Sequence, residues 1–266
     1  MQTPSFNKWR LIDSGLCDAA FNMALDEAIA VHVRQGRALP TLRFYQWEIP
    51  SVTLGFFQKV QEINITFCRE MEIPLVRRRT GGRAVLHGQD LTYSLTCRLD
   101  GVHFNDKISS NYARIGRAFL EGLQEIGFSV TMRQRKAERQ ALKNPSCFQS
   151  TSFSEITLND KKLIGSAQKK WSDGFLQQGS IVMDLDEETM RRIFLLKDLE
   201  QLKSIAKLNA VAPSITQEQI KTALKKAFEK SFGIEFKEEP STPSEYSMAE
   251  QLAAERYETD SWNFRR

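Results

Sequence analysis

The sequence is poor in the residues that build metal sites. Its 266 residues include only four cysteines and three histidines. Cys17, Cys68, Cys97 and Cys147 lie far apart with no C-x-x-C spacing, so no zinc or other metal site is expected. Reduced thiols in a cytoplasm are the expected state. No apolar run reaches the roughly eighteen residues that a membrane helix needs. The stretch Met1–Phe6 has neither a basic n-region nor an apolar h-region, so neither secretion nor a membrane partner is expected. There is no repeat and no low-complexity tract. The net charge of +4 is a mild excess without a dense basic stripe or a nucleic-acid-binding motif. It permits an acidic protein partner and gives no reason to expect nucleic acid.

What is present is ordinary globular composition, 41% hydrophobic and 26% charged. That is enough for one large domain, or one domain with an appendage. Helical spacing predicts helices over Ala19–Val33 (capped by Asp18), Glu62–Met71, Asn111–Ile126, Asp186–Leu196, Gln217–Phe232 and Ser247–Tyr257. Alternation and β-branched or aromatic content predict strands at Trp9–Ile12, Thr41–Trp47, Val52–Phe57, Pro74–Arg78, Leu91–Leu99, Phe128–Met132, Gly179–Leu185 and Ile234–Phe236. A hairpin is expected at Glu155–Leu158 and Lys161–Ile164, turning on Asn159-Asp160. Leu91, Tyr93, Leu95, Cys97 and Leu99 alternate with polar residues, which reads as a half-buried strand with Cys97 as inert packing. Cys68 is expected in the core, and His32, near the end of its helix, is read as structural. Arg133–Ser150 reads as a long basic loop, and 240–244 as a linker.

The stretch Val76–Leu95 concentrates the unusual chemistry: Arg77-Arg78-Arg79-Thr80-Gly81-Gly82-Arg83, a short apolar run, His87 and a strand. By composition it is either a tight hairpin turn with solvated arginines or a turn that brings backbone close to a ligand. Elsewhere, Cys147 is the one cysteine flanked by turn residues, in Asn144-Pro145-Ser146-Cys147-Phe148, and is the candidate nucleophile. Lys162 precedes the small-residue run Gly165-Ser166-Ala167. A lysine among apolar residues can sit partly out of water and exchange a proton with a thiol. Lys161 beside it should point to the opposite face, although spacing does not say which of the two is buried.

Taken in order, several motifs resemble the biotin/lipoate protein ligase superfamily. They are Phe21-Asn22-Met23-Ala24-Leu25-Asp26-Glu27-Ala28, Arg43–Trp47 with Leu54–Gln58, Arg77–His87 followed by Leu91–Ser94, Lys162–Gln168, and the tail Trp262–Arg266. Within the superfamily the chain most resembles the octanoyltransferase (LipM) branch. The resemblance implies an α/β (α+β) fold with a mixed, largely antiparallel sheet flanked by helices. It implies a catalytic domain over residues 1–239, with 240–266 as a short linker and a C-terminal helix packed on it. It also implies transfer of octanoyl from octanoyl-acyl carrier protein to the lipoyl-domain lysine of an acceptor, the glycine cleavage H protein or an E2 subunit. Cys147 would carry the acyl thioester, Lys162 would be the catalytic lysine, and no cofactor is required. Arg78, Thr80, Gly81, Gly82, Arg83, His87, Gly165, Ser166 and Ala167 would contact substrate, with the Gly-Gly turn and His87 lining an acyl slot. Arg83 stands where ligases usually carry a third glycine, which counts against an adenylate site. An ATP-dependent lipoate ligase, an amidotransferase between lipoyl proteins and a non-catalytic lipoyl-protein binder are the competing readings.

Overall fold

The computed structural model describes residues 7–133 and 155–266. β1 (Lys8–Cys17) runs straight into α1 (Ala19–Arg34), because the Asp18 carboxylate accepts a 2.8 Å hydrogen bond from the Phe21 N–H and caps the helix. β2 (Thr41–Trp47), β3 (Ser51–Leu54), α2 (Ile65–Glu70), β4 (Leu75–Arg77), β5 (Val85–His87) and β6 (Asp90–Arg98) follow. Then come α3 (Ile108–Glu125), β7 (Val130–Arg133), β8 (Glu155–Leu158), β9 (Lys161–Lys170) and β10 (Gly174–Val182). The chain ends with α4 (Glu187–Ile193), one-turn α5 (Leu208–Val211), α6 (Gln217–Phe232), β11 (Glu235–Glu238), α7 (Pro243–Leu252) and α8 (Asp260–Asn263).

Among the described residues the strands form two sheets. Eight lie in the order β11-β1-β2-β6-β10-β9-β8-β7, and three in the order β4-β3-β5. In the large sheet β1 runs parallel to both β11 and β2, and every other pairing is antiparallel. This is the mixed, largely antiparallel sheet expected from the sequence. The apolar faces of α3 (Ile115, Phe119, Leu123) and α6 (Ile220, Leu224, Phe228) join the sheet in one core. Met23, Ala24 and Ala28 of α1 pack with Tyr45, Trp47 and residues of α7 in another. A third core lies around the small sheet, α2 and α4.

Two local expectations change. β6 is buried along its length except at Arg98, so it is not half-buried: its polar face of Thr92, Ser94 and Thr96 is covered too. The linker expected at 240–244 gives way to α7 at Pro243. Thr242 and Glu245 form a reciprocal capping box, and Pro243 occupies the first turn.

Ion pairs fasten the C-terminal helices to α1 and β1. Glu245 receives two bonds from Arg10 at 2.8 and 2.5 Å. Glu27 receives two from Arg256, both at 2.7 Å, and one from the Tyr257 hydroxyl at 2.6 Å. His32 is buried, with Nδ1 2.9 Å from the Ala28 carbonyl and Nε2 3.1 Å from Ser244 Oγ, and is therefore structural as expected.

Asp26 of α1 is fully buried. Its carboxylate accepts from Arg43 Nη1 at 2.8 Å, Ser94 Oγ at 2.6 Å, the Tyr45 hydroxyl at 2.9 Å and Gln178 Nε2 at 2.8 Å. These four bonds fill its acceptor positions. Removing one partner of such a pair strands the other charge out of water. Asp26→Ala is therefore expected to cost about 3–5 kcal/mol in urea unfolding. A loss below about 1 kcal/mol would show that Arg43 finds adequate acceptors elsewhere.

Candidate functional site

The Arg-Arg-Arg-Thr-Gly-Gly-Arg stretch is not a hairpin. β3 lies between β4, which runs parallel to it, and β5, which runs antiparallel, so residues 78–84 cross from one side of β3 to the other. The crossing is tight. A Cβ on Gly55 would lie 1.9 Å from the Gly82 carbonyl oxygen, and Gly82 itself takes a positive φ of 84°.

The first two arginines are buried and bind main chain. Arg77 donates to the carbonyls of Gly55, Gln58 and Asn263 at 2.7–3.1 Å. Burial, together with the nearby Arg265, Arg266 and Arg78, brings its pKa down to about 10. Arg78 donates to the carbonyls of Thr53, Gly81 and Arg83 and to the hydroxyls of Thr53 and Thr80. It thus holds the Gly-Gly crossing against β3. Arg79 faces Glu27 at 3.4 Å, and Arg83 pairs with Glu62 at 2.6 Å. Thr80 Oγ1 donates to Gln178 Oε1 at 2.8 Å, and Gln178 donates in turn to Asp26. A continuous hydrogen-bonded path therefore joins the crossing to α1 and β10.

A cleft lies between the two sheets. Met23, Tyr45, Trp47, Val85, Gly165, Ala167 and Gly179 give it an apolar and small-residue lining. Thr53, Arg78, His87, Thr92, Ser166, Gln178 and Ser180 complete it. These polar side chains bond to one another or to the framework. His87 Nδ1 is 2.8 Å from Asp90 Oδ2, and its Nε2 is 3.0 Å from Thr53 Oγ1. Thr92 and Ser180 donate to the same Asp90 oxygen at 2.7 and 2.6 Å. Trp47 donates to Thr92 at 2.8 Å and stacks on the His87 ring at 4.2 Å. With its polar groups engaged in this way, the wall is suited to an alkyl chain more than to a highly charged ligand.

Of the residues singled out from sequence, Arg78, His87, Gly165, Ser166 and Ala167 meet in this cleft. Ser166 presents backbone there, since its hydroxyl turns to the other face and bonds the Tyr93 hydroxyl at 2.7 Å. Thr80, Gly81, Gly82 and Arg83 form the crossing behind the cleft and are not among its lining residues. Lys162 is the buried lysine of its pair, and Lys161 is exposed. Its ammonium lies 2.5 Å from Glu155 Oε1, and its backbone is fastened on both sides, to Ser204 and Ala206. Cys147, together with the Arg133–Ser150 loop beyond Arg133, lies outside the described residues. The other three thiols are not activated. Burial raises Cys17, pushes Cys68 up to about 11, and holds Cys97 well above the ordinary range. Sequence reasoning did not single out Tyr45, Trp47, Thr53, Thr92 or Gln178. On strands, such residues carry no pattern that separates a cleft wall from a core.

Residues 18–229 match the family described as the lipoyl protein ligase A/B catalytic domain. The chain is 38% identical to octanoyltransferase LipM of Halalkalibacterium halodurans, over 97% of this chain and 99% of that protein. It is 36% identical to octanoyltransferase LipM of Geobacillus kaustophilus, over 97% and 98%. Among solved structures it resembles a bipartite lipoate protein ligase of Thermoplasma acidophilum, described with its E2 lipoyl domain. That likeness has a TM-score of 0.81 and 23% identity over 97% of this chain and 96% of the other, and it concerns the fold.

Asp90 gives the site a pH signature. Burial works to raise its pKa, but His87 and the hydroxyls of Ser180 and Thr92 outweigh it and hold the carboxyl below its ordinary value. A depressed carboxyl contributes stability that is present above its unfolded pKa of about 3.9 and lost as pH falls through the folded value. In urea unfolding, the stability gap between wild type and Asp90→Asn is therefore expected to hold from pH 7 to pH 5 and to shrink towards pH 3. A gap that widens in acid would reverse the assignment.

Proposed function

The chain belongs to the lipoyl protein ligase A/B catalytic domain family, and on that premise we propose that it is an octanoyltransferase of lipoate biosynthesis. The observation that carries this reading is the end-to-end likeness to octanoyltransferases, over 97% of the chain. The donor is octanoyl-acyl carrier protein, and the acceptor is a lipoyl-domain lysine, on the glycine cleavage H protein or an E2 subunit. Residues 1–239 are the catalytic domain, and 240–266 form the tail packed on α1.

The cleft supports an acyl substrate. Its apolar lining can shelter an octanoyl tail, and at ~0.8 kcal/mol per CH2 the tail would contribute roughly 5 kcal/mol. In the proposed reaction the Cys147 thiolate attacks the donor thioester carbonyl. A new C–S bond forms, the old one breaks, and the carrier leaves as its thiol after taking up a proton. In this proposal, backbone N–H groups along Gly165–Ala167 stabilise the oxyanion. The acceptor amine then attacks the acyl-enzyme, an amide C–N bond forms, and Cys147 departs as thiolate. Lys162, steadied by Glu155, relays the proton that the amine loses. One thioester replaces another at nearly equal free energy and the amide step runs downhill, so ATP has no part. The Arg83–Glu62 ion pair agrees with this, since that guanidinium already has an anionic partner.

Intact mass after mixing with octanoyl-acyl carrier protein tests the proposal. A hydroxylamine-labile octanoyl adduct is expected on the wild-type chain and none on Cys147→Ser. Adenylate formation from lipoate and ATP, with transfer retained in Cys147→Ser, would instead indicate a ligase. Lys162→Ala is expected to slow transfer to the lipoyl domain by about 10²–10⁴-fold.

A further inference from the structure

The C-terminal tail builds a basic, aromatic surface beside the cleft, and its hub is Phe56. The Arg265 guanidinium lies 4.0 Å from the Phe56 ring and 4.0 Å from the Trp262 ring. Arg79 lies 5.7 Å from Phe56, and the Lys169 ammonium 5.8 Å. Phe57, 67% exposed, stands edge-on to Phe56 at 4.8 Å, with Arg266 5.4 Å from its ring. Backbone bonds fix the arrangement: Phe56 N–H donates to the Thr80 carbonyl, and Val60 N–H to that of Arg266.

This surface adjoins the cleft at two points. Lys169 follows the cleft-lining Ala167 by two positions on β9 and so shares its face. Arg79 directly follows the cleft-lining Arg78. The positive charge is largely uncompensated. Arg79 faces Glu27, but among the described residues Lys169, Arg265 and Arg266 have no ion-pair partner. Burial and the surrounding Arg266, Arg79 and Arg256 depress the Arg265 pKa, as crowding of like charges does.

We infer that this surface is the docking track of the acyl donor, an acidic carrier protein that presents its thioester on a phosphate-bearing arm. The inference rests on the octanoyltransferase reading. Guanidinium groups match a phosphodiester and surface carboxylates, and exposed aromatic rings beside them give an interface apolar area. The track leads from the cleft rim, at Lys169 and Arg79, outward to Arg266 and Phe57. A donor whose acyl chain lies in the cleft would lay its arm along this course.

Single-turnover acylation of the full chain tests this with two donors, octanoyl-acyl carrier protein and octanoyl-pantetheine, which lacks both protein and phosphate. Arg265→Glu/Arg266→Glu is expected to raise the half-saturating carrier concentration about tenfold at low salt, with the gap closing at high salt. Its acylation by octanoyl-pantetheine and its transfer from preformed acyl-enzyme to a lipoyl domain should match wild type. The charge-keeping variant Arg265→Lys/Arg266→Lys should lose less than the Glu variant and keep the wild-type salt dependence, which separates lost charge from a folding defect. Equal losses with both donors, a weakened lipoyl-domain step instead, or no change would each overturn the inference while leaving the octanoyltransferase reading intact. If wild type forms no acyl-enzyme from either donor, that reading fails and the docking track fails with it.

Discussion

A single buried carboxylate ties the parts of this protein together. Asp26 sits on α1, and its four bonds reach β2 through Arg43 and Tyr45, β6 through Ser94, and β10 through Gln178. Through Gln178 and Thr80 the same network extends to Arg78 and the Gly-Gly crossing. A buried charge is tolerable only when fully paired. Satisfying Asp26 therefore requires α1, three strands of the large sheet and the crossing to be in register together. The cleft lies inside that framework, and the network holds residues of its walls.

The clustered arginines show how misleading composition is without partners. Arg77, Arg78, Arg79 and Arg83 suggest, by sequence, a solvated turn or a phosphate site. In the fold two of them replace water as donors to backbone carbonyls that a tight crossing would otherwise leave without partners. The guanidinium suits this work because it carries five donors in a planar fork, which a lysine does not. Arg83 meets Glu62, and Arg79 lies between Glu27 and the rings of Phe56 and Trp262. Four nearby residues of one type thus do three different physical jobs, decided by contacts with residues distant in sequence.

Much of the fold was legible. The helix beginning at Ala19 is readable from its apolar spacing and from Asp18, and the β8–β9 hairpin from Asn159-Asp160, which both take positive φ. What could not be read depends on long-range pairing. That β3 lies between β4 and β5 turns an apparent hairpin into a crossing, and no local signal states it. The burial of both faces of β6 comes from α1 lying over its polar side, and Thr92 and Ser94 looked like ordinary solvent-facing positions. The start of α7 was a different kind of miss. Thr242-Pro243-Ser244-Glu245 carries a full capping signal, but its Pro and Ser content reads as linker. At the site, Gly165–Ala167 stood out because a run of small residues is unusual on a strand, and His87 through the family resemblance. Tyr45 and Trp47 did not, because aromatic residues on strands are usually core.

Lys162 shows why the small-residue run follows it so closely. β9 pairs with β8 only from Lys161 to Ile164, and among the described residues its continuation from Gly165 has a strand partner only on the β10 side. Lys162 therefore sits where the sheet is still closed, its ammonium set against Glu155 and its backbone fastened to Ser204 and Ala206. Three positions later the same strand lines the cleft with residues too small to obstruct it. One rigid strand thus holds a buried charge and an open backbone at a fixed separation. Glu155, the residue paired with that ammonium, is the first residue of β8. In the proposed chemistry, the carboxylate that opens β8 thus holds the proton-relaying group in place on β9.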